Sequence, residues 1–211
     1  MNEEANSVID NIEYEITSET TCEVVKLEGE LTEVIIPEAV IIEGKKYAVT
    51  SVADRAFYGC KELESVEMPD SVEDIGIFAL CDCEKLSKVK LPAGLEKIKT
   101  FAFKGCKSLE HVELPDSLTT IGDWAFYNCE KLSEIDRPSG LKILKGGAFK
   151  GCMSLKRVKL PSGLTEIDKT AFSNCTLLEE LPESPFCEYG FNEDVSKEVV
   201  DEECSKEEEN S

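Results

Sequence analysis

The chain has 211 residues, of which 41% are hydrophobic and 7% aromatic, and its formal net charge at pH 7 is −21. This length and apolar content allow one substantial core or one elongated array, and they exclude a wholly disordered protein. The charge disfavours nucleic acids and anionic membrane surfaces as partners, because both attract clustered Lys and Arg and repel an acidic chain. Most of the acidic excess lies in the two ends of the sequence, whereas residues 49–182 are nearly neutral.

The sequence predicts neither membrane insertion nor export. Its uninterrupted apolar runs are only a few residues long, whereas a transmembrane helix needs about 20 apolar residues. The acidic start of the chain lacks the basic and apolar segments of a signal peptide. We therefore expect a cytoplasmic protein, and the alternative is a secreted or cell-surface protein from which a leader has been removed.

A repeat of 23 residues organises the middle of the sequence, where cysteine, alanine and leucine each recur at this interval in six copies. The consensus reads I-x-x-x-A-F-x-x-C-x-x-L-x-x-V-x-L-P-x-x-L, and the segment from Ile98 to Leu118 matches it in full. The recurring cysteines, which we call the cysteine ladder, are Cys60, Cys83, Cys106, Cys129, Cys152 and Cys175. One unit cannot bury its own apolar face, so the units are predicted to stack into a solenoid.

Each repeat predicts one short strand and one tight turn. The alternating V-x-L residues fit a strand with one buried face, which ends at the following proline because proline cannot donate to a sheet. The A-F-x-x-C-x-x-L residues have apolar positions three apart, which favours a helical or 3₁₀ turn. The residue before each ladder cysteine is always Gly, Asn or Asp. These residues tolerate a positive φ, so we expect a left-handed backbone there.

The repeat resembles the BspA-like subfamily of leucine-rich repeats, which joins the A-F-x-x-C-x-x-L and V-x-L-P-x-x-L segments in the same order. The resemblance implies a β-rich α/β solenoid, in the form of a right-handed coil. Its parallel sheet would lie on the concave side, with short helical or 3₁₀ turns on the convex side and a β-cap at the N-terminus. A cap is needed because the first coil would otherwise expose its apolar end and an unpaired strand edge.

The sequence divides into five predicted segments. An acidic, flexible N-terminus (1–11) precedes the N-terminal β-cap (12–48), and about five to six repeats form the array (49–182). A C-terminal cap (183–191) covers the last coil and leads to an acidic tail (192–211). The tail has the composition of a disordered segment, because it contains too few apolar residues to form a core.

The cysteine ladder is predicted to be structural. Free cysteine behaves as a small buried hydrophobe, and parallel Cβ vectors on adjacent coils give poor disulfide geometry, although disulfides along the ladder remain the alternative. Cys81 and Cys83 form a C-x-C, but a zinc site usually needs a second pair of ligands and His111 is the only histidine. We therefore expect no metal site and no cofactor.

No catalytic residues are predicted. The sequence has no G-x-S-x-G, no P-loop and no G-x-G-x-x-G, which are the usual signatures of hydrolases and nucleotide-binding enzymes. Carboxylates are abundant, but nothing in the sequence places two of them in an apolar pocket that would separate their pKa values. We expect a protein without enzymatic activity.

The side chains that flank the central residue of each V-x-L strand are predicted to point outward on the concave face. They form two rows, Ser65, Lys88, His111, Glu134 and Arg157, and Glu67, Lys90, Glu113, Asp136 and Lys159. Two interpretations are open, namely a self-neutralising surface that keeps the protein soluble and a surface that binds a protein partner. His111 is a candidate pH switch, although a surface histidine with no such role is the simpler interpretation.

The expected function is protein binding. We expect a monomeric, non-catalytic module that binds a protein partner through the concave face. The alternative, which the resemblance implies, is an adhesin-like cell-surface protein that binds host matrix proteins. Since one repeat architecture serves many unrelated partners, the sequence does not identify the partner.

Overall fold

A computed structural model describes residues 6–136 and 138–178, in which the chain forms fifteen short β-strands and no helix. The predicted C-terminal cap (183–191) and the predicted acidic tail (192–211) lie outside the described residues. The described chain is a stack of coils with a sheet of longer strands at its N-terminal end.

The first strands form a sheet in the order β1-β2-β3-β6-β5. The six N-terminal strands are β1 (Ser7–Ile9), β2 (Ile12–Ile16), β3 (Thr21–Leu27), β4 (Glu33–Ile35), β5 (Ala39–Ile42) and β6 (Lys45–Val52). Alternate residues of β3 and β6 are buried, as expected for strands with one face on the core. β1, which lies in the segment predicted to be flexible (1–11), pairs with β2 of the predicted β-cap.

The repeats form two groups of parallel strands. One group contains the predicted V-x-L strands and the other contains a second strand of each repeat. In one repeat, residues 111–113 take the place of the V-x-L strand but form no strand. The strands are β7 (Ser65–Glu67), β8 (Asp74–Ile75), β9 (Lys88–Lys90), β10 (Lys97–Ile98), β11 (Thr120–Ile121), β12 (Glu134–Ile135), β13 (Ile143–Leu144), β14 (Arg157–Val158) and β15 (Glu166–Ile167). We call the outward side of β4, β7, β9, β12, β14 and residues 111–113 the front face, which is the predicted concave face. We call the outward side of β8, β10, β11, β13 and β15 the rear face.

The rear strands were not predicted from the sequence. β10, β11, β13 and β15 pair in parallel, with Ile98 opposite Ile121 and Ile121 opposite Leu144. These side chains are fully or almost fully buried, so each rear strand contributes one apolar residue to the core at every coil. The repeats therefore stack through rear strands as well as front strands, where the sequence predicted front strands only.

Two N-terminal strands, β4 and β6, cover both strand edges of the first coil. On the front side β4 pairs in parallel with β7, and on the rear side β6 pairs in parallel with β8. The register places Val34 opposite Val66 and Val52 opposite Ile75, which continues the buried apolar columns of the repeats into the N-terminal region. This pairing removes the exposed strand edges that an uncapped first coil would have.

The described residues contain no α-helix and no 3₁₀-helix, so the predicted α/β class and the predicted helical or 3₁₀ turns were wrong. Along each turn, the backbone amides alternately donate to a carbonyl of the same turn and to a carbonyl of the next coil. The amide of Tyr58 donates within the turn to the carbonyl of Arg55 at 2.9 Å, whereas the amide of Phe57 donates to the carbonyl of Ala79 in the next coil at 2.8 Å. A helix needs every amide to bond within its own segment, so the turns instead form a third ladder of hydrogen bonds between coils.

The left-handed position before each ladder cysteine is confirmed. All six residues there have φ values between 57° and 77°, and they are Gly59, Asp82, Gly105, Asn128, Gly151 and Asn174. A second left-handed position, four residues earlier in the repeat, was not predicted. Its φ values lie between 50° and 62°, and its residues are Arg55, Phe78, Phe101, Trp124 and Gly147. Residues with large side chains rarely adopt a left-handed backbone, so the residue types at this position did not predict it.

Buried aromatic rings run through the middle of the stack. Phe103, Phe126, Phe149 and Phe172 stack ring on ring along neighbouring coils. The centroids of Phe103 and Phe126 are 5.1 Å apart with an interplanar angle of 4°, and the next pair has the same spacing. Leu80 takes the place of a phenylalanine one coil before Phe103, as the sequence shows, and it is fully buried. The core is thus a set of ladders of like residues.

Gly76 lies against the backbone of the preceding coil, so Gly76→Ala is expected to destabilise the protein. An added Cβ would lie 2.4 Å from the amide nitrogen of Asp54 and 2.5 Å from the carbonyl carbon of Ala53. Backbone atoms in a hydrogen-bonded ladder cannot move aside alone, and overpacking typically costs about 1–3 kcal/mol. Urea denaturation followed by circular dichroism should show this loss in the free energy of unfolding.

Gly94→Ala is the matched control for Gly76→Ala. A Cβ at Gly94 would meet no atom within 4 Å, and its φ is not in the left-handed region. The substitution should change the free energy of unfolding by no more than about 0.5–1 kcal/mol, and in the stabilising direction, because alanine restricts the unfolded chain. Equal losses for the two variants would show that the close approach at Gly76 does not determine stability.

Candidate protein-binding face

The structure brings the two predicted rows of outward side chains together on the front face. In register, Ser65 lies opposite Lys88 and Glu67 lies opposite Lys90, while Glu134 lies opposite Arg157. Ser65 and Glu67 are half-buried next to the N-terminal strand β4, and the other eight side chains of the two rows are exposed. The rows therefore form one continuous, solvent-facing surface of mixed charge.

Most of the charged side chains on this face have no partner among residues 6–136 and 138–178. Lys90 donates to the carboxylate of Glu67, and this hydrogen bond raises the pKa of Lys90. Seven others make no hydrogen bond or ion pair within the described residues, namely Lys88, His111, Glu113, Glu134, Asp136, Arg157 and Lys159. The self-neutralising interpretation of the rows is thus supported for one pair only.

Charged residues away from these two rows behave differently, because many of them pair between neighbouring coils. Lys85 and Glu62 approach to 2.5 Å, and Lys107 and Glu84 to 3.1 Å, in each case 23 residues apart. Lys145 likewise pairs with Glu166 at 2.8 Å. Such exposed pairs contribute at most about 1 kcal/mol each. Among the described residues, ion pairs between coils are therefore frequent away from the two rows, whereas the front face contains only the pair of Lys90 with Glu67.

A cleft of about 760 Å³ opens in the front face. One wall is formed by β9 and the residue after it, with Lys88, Val89 and Leu91, and the other wall by residues 110–116. Val89 is half-buried at its centre, and Leu91 is 8% exposed below it. The cleft therefore has an apolar floor and charged rims.

The cleft exists because a predicted strand is missing. The V-x-L pattern predicts a strand at residues 111–113, but the structure has none there, and this prediction was wrong. β9 pairs only with β7, and β12 pairs only with β14. Among the described residues, no backbone hydrogen bond joins 111–113 to either neighbour. The pattern indicates which side chains face the core, but it does not show whether a neighbouring strand lies close enough to pair.

The cysteine ladder runs along the stack, and five of its six thiols donate a hydrogen bond to a backbone carbonyl, namely those of Cys83, Cys106, Cys129, Cys152 and Cys175. Cys106 donates to the carbonyl of Leu80 at 3.2 Å, and Cys129 donates to the carbonyl of Phe103 at the same distance. Both side chains are fully buried, and burial raises the pKa of each thiol. The reactive form of cysteine is the thiolate, so these residues are packing groups and not nucleophiles.

Cys81 and Cys83, the candidate C-x-C pair, direct their thiols to different acceptors. Cys81 donates to the carboxylate of Asp82 at 3.4 Å, and Cys83 donates to the carbonyl of Phe57 at 3.0 Å. In the part of the chain that the structure describes, no three His, Cys, Asp or Glu side chains are grouped as a metal ion would need. Within the same residues, no helix is long and apolar enough to cross a membrane.

An aromatic row on the turn side of the coils was missed by the sequence analysis. Phe78 stacks on Phe101 at 4.6 Å, and Phe101 stacks on Trp124 at 5.1 Å, with all three rings half-buried. Their positions differ by 23 residues and each immediately precedes the repeat alanine, so aligning this column would have revealed the row. The guanidinium of Arg55 lies over the ring of Phe78 at 5.2 Å. The ring of Phe101 is thus stacked between those of Phe78 and Trp124.

The sequence model for the BspA type leucine-rich repeat region matches residues 50–179 in six copies. The chain belongs to this family. The match includes the cysteine ladder and all the repeat strands, and it agrees with the resemblance read from the A-F-x-x-C-x-x-L and V-x-L-P-x-x-L segments. No curated protein matches the sequence.

Several solved structures are similar to this BspA-type chain. A leucine-rich repeat protein from Bacteroides ovatus is 34% identical with a TM-score of 0.69, over 83% of this chain and 53% of that one. The T. pallidum leucine-rich repeat protein is 29% identical with a TM-score of 0.64, over 82% and 91%. A leucine-rich cell surface protein from Faecalibacterium prausnitzii is 28% identical with a TM-score of 0.73, over 84% and 54%. The chain therefore spans about half the length of the first and third of these proteins.

Proposed function

We propose that this BspA-type repeat protein is a non-catalytic module that binds a protein partner through its front face. The observation that carries the proposal is the set of seven exposed, ionisable side chains on that face that make no hydrogen bond or ion pair within the described residues. Exposed charges cost little when unpaired, so they are available for a partner without loss of stability. Complementary charge across an interface gives specificity and speeds association.

The distribution of charge on the front face predicts which charges a partner surface must carry to be complementary to it. Lys88 and Arg157 are positive, and Glu134 lies between them along the same row. In the second row, Glu113 and Asp136 are negative and precede Lys159. A matching partner presents both signs of charge in an arrangement that mirrors these rows, so a uniformly basic or acidic surface would fit poorly.

The double substitution Lys88→Glu and Arg157→Glu is expected to weaken partner binding by at least about tenfold, because it reverses two charges of the proposed interface. Lys97→Glu with Lys142→Glu is the matched control, since it makes the same charge change near the rear strands at two exposed lysines. Partners captured by the unmodified protein would be identified, and their affinities for the three proteins measured by biolayer interferometry at two salt concentrations.

Two outcomes would contradict the proposal. If both double variants weakened binding equally, the effect would come from net charge and not from the front face. If neither variant changed the affinity of any captured partner, binding would occur elsewhere on the molecule. Thermal melts of all three proteins should coincide, because none of the four side chains is buried or paired in the described residues.

A second candidate function is adhesion at a cell surface. It is favoured by the similar protein from Faecalibacterium prausnitzii, which is described as a leucine-rich cell surface protein. This function predicts that the native protein is found in a surface or secreted fraction, and that it binds purified extracellular-matrix proteins through the front face. Fractionation of the source cells with an antibody to this chain separates the two functions, because an internal location would leave adhesion without support.

A further inference from the structure

We propose that the cleft in the front face receives an extended peptide segment of the partner, which adds to β9 as a further strand. This inference rests on the proposed function and specifies the part of the partner that would be recognised. The binding mode is strand addition, in which main-chain hydrogen bonds provide affinity and alternate side chains provide specificity.

The backbone around the cleft has the first property that strand addition needs, an available strand edge. β9 pairs with β7 on one side, and its other edge faces the cleft. Across the cleft, His111 and Glu113 line the opposite wall, and their amides and carbonyls make no backbone hydrogen bond among the described residues. Backbone groups without partners are costly in a folded protein. A strand in the cleft would supply partners to both walls.

The open edge of β9 lies where the pairing between coils changes sides. The coil that contains β9 is joined to the preceding coil on the front side, through β7. On the rear side the same coil is joined to the following coil, since β10 pairs with β11 but not with β8. The opening at the front therefore coincides with a change of strand pairing at the rear.

The side chains around the cleft define the chemistry of the peptide. Val89, Leu91 and Leu114 line its interior, so inward-pointing residues of the peptide should be apolar. Lys88 lies on one rim and Glu113 on the other, and neither has a partner within the described residues. Outward-pointing residues should thus include an acidic and a basic side chain. Residues 87–91 span five positions, which corresponds to an extended segment of about 17 Å.

Hydrogen exchange of the full-length protein tests the state of the cleft directly. In the free protein, the amides of residues 111–113 should exchange at least about a hundredfold faster than those of Val66 and Ile135, which occupy the same column in paired strands. The probe is the acetylated and amidated peptide Glu-Val-Thr-Val-Lys. Its two valines would point into the cleft, and its acidic and basic ends would point outward. Saturating peptide should slow exchange at residues 88–90 and 111–113 and leave β14 unchanged.

Two matched controls separate strand addition from other forms of binding. The same peptide N-methylated at both valines keeps its side chains but loses two main-chain donors, and its affinity should fall by at least about tenfold. Ala93→Trp places a large side chain at the exposed end of the cleft and should abolish the protection. Ser162→Trp makes the same kind of change at the equivalent repeat position three coils away and should have no effect.

Each of three results would overturn the inference. Equal affinities of the plain and N-methylated peptides would show that main-chain pairing is not involved. Slow exchange at residues 111–113 in the free protein would show that the front sheet is closed in solution. Absence of binding up to millimolar peptide would show that the cleft does not accept a strand.

The proposed function and this inference can fail separately. If Lys88→Glu with Arg157→Glu weakens partner binding but Ala93→Trp does not, the front face binds the partner without a strand in the cleft. If the peptide binds the cleft but the captured partners are insensitive to both variants, strand addition is a property of the cleft and the proposed function is overturned.

Discussion

Raising the pH from 9 to 11 is expected to unfold the solenoid, because its core contains a column of thiols that stay protonated in the folded state. Cys106 is fully buried, and burial is the main cause that raises its pKa, followed by its neighbours Cys129 and Cys83. At the less buried end of the column, burial raises the pKa of Cys175 to about 12. In the unfolded chain a thiol titrates near about 8.5.

The sign and size of this effect follow from proton linkage. Above about pH 9 the unfolded chain loses protons that the folded chain keeps, so stability that is fully present below this pH is lost as pH rises towards the folded pKa values. Each thiol contributes a slope of about 1.4 kcal/mol per pH unit in this window. Several such thiols act together here, and typical domains have only about 5–15 kcal/mol of stability.

Urea denaturation at half-unit steps from pH 8 to pH 11 would measure this loss as a falling midpoint. The ion-paired lysines also lose stabilising charge at high pH. However, the hydrogen bonds that Lys85 and Lys107 donate to their carboxylate partners raise the pKa of each lysine above its ordinary value, so their effect begins later. Cys106→Ala should be less stable at pH 7 and should show a shallower slope between pH 9 and pH 10.5. A midpoint that stays constant up to pH 10.5 would contradict the buried-thiol explanation.

Several features of the fold could be predicted because single residues encode them. Gly59 and Asn128 occupy a position that needs a positive φ, and few residue types tolerate it, so the backbone conformation was visible in the sequence. The burial of Cys106 and Phe126 followed from their repetition at an interval that stacking turns into a ladder. Outward exposure of Lys88 followed from strand alternation.

Other features could not be predicted because they depend on pairing between coils. The prediction of helical turns was wrong because the amide of Phe57 donates its hydrogen bond to the next coil. The spacing of apolar residues does not show whether an amide bonds within its own turn or to a neighbouring coil. Residues 111–113 carry the same V-x-L pattern as β9, yet they lack a paired neighbour. The positive φ of Phe101 contradicts its local preference and is stabilised by rings from neighbouring coils. The candidate cleft arises from these same non-local effects.

Phe126→Ala is expected to be among the most destabilising single substitutions in the array. The ring of Phe126 is fully buried and stacks between Phe103 and Phe149, with both centroids 5.1 Å away. Truncation of a buried phenylalanine costs about 3–5 kcal/mol, which includes the cavity that is left. Because each coil contacts only its neighbours, the cavity also weakens the coupling between the two halves of the stack. Urea denaturation should therefore show a lower midpoint and a lower m-value or a second transition.

Phe126→Leu is the matched control, because the chain itself has a leucine at this repeat position in Leu80, which is fully buried. A leucine keeps most of the volume, so the cost should stay below about 1.5 kcal/mol with a single transition and an unchanged m-value. Phe172→Ala, at the end of the described ring stack where the side chain is 8% exposed, should cost less than Phe126→Ala. If all three variants lost the same stability, ring stacking would not couple the coils, and the array would be held together mainly by its three ladders of backbone hydrogen bonds.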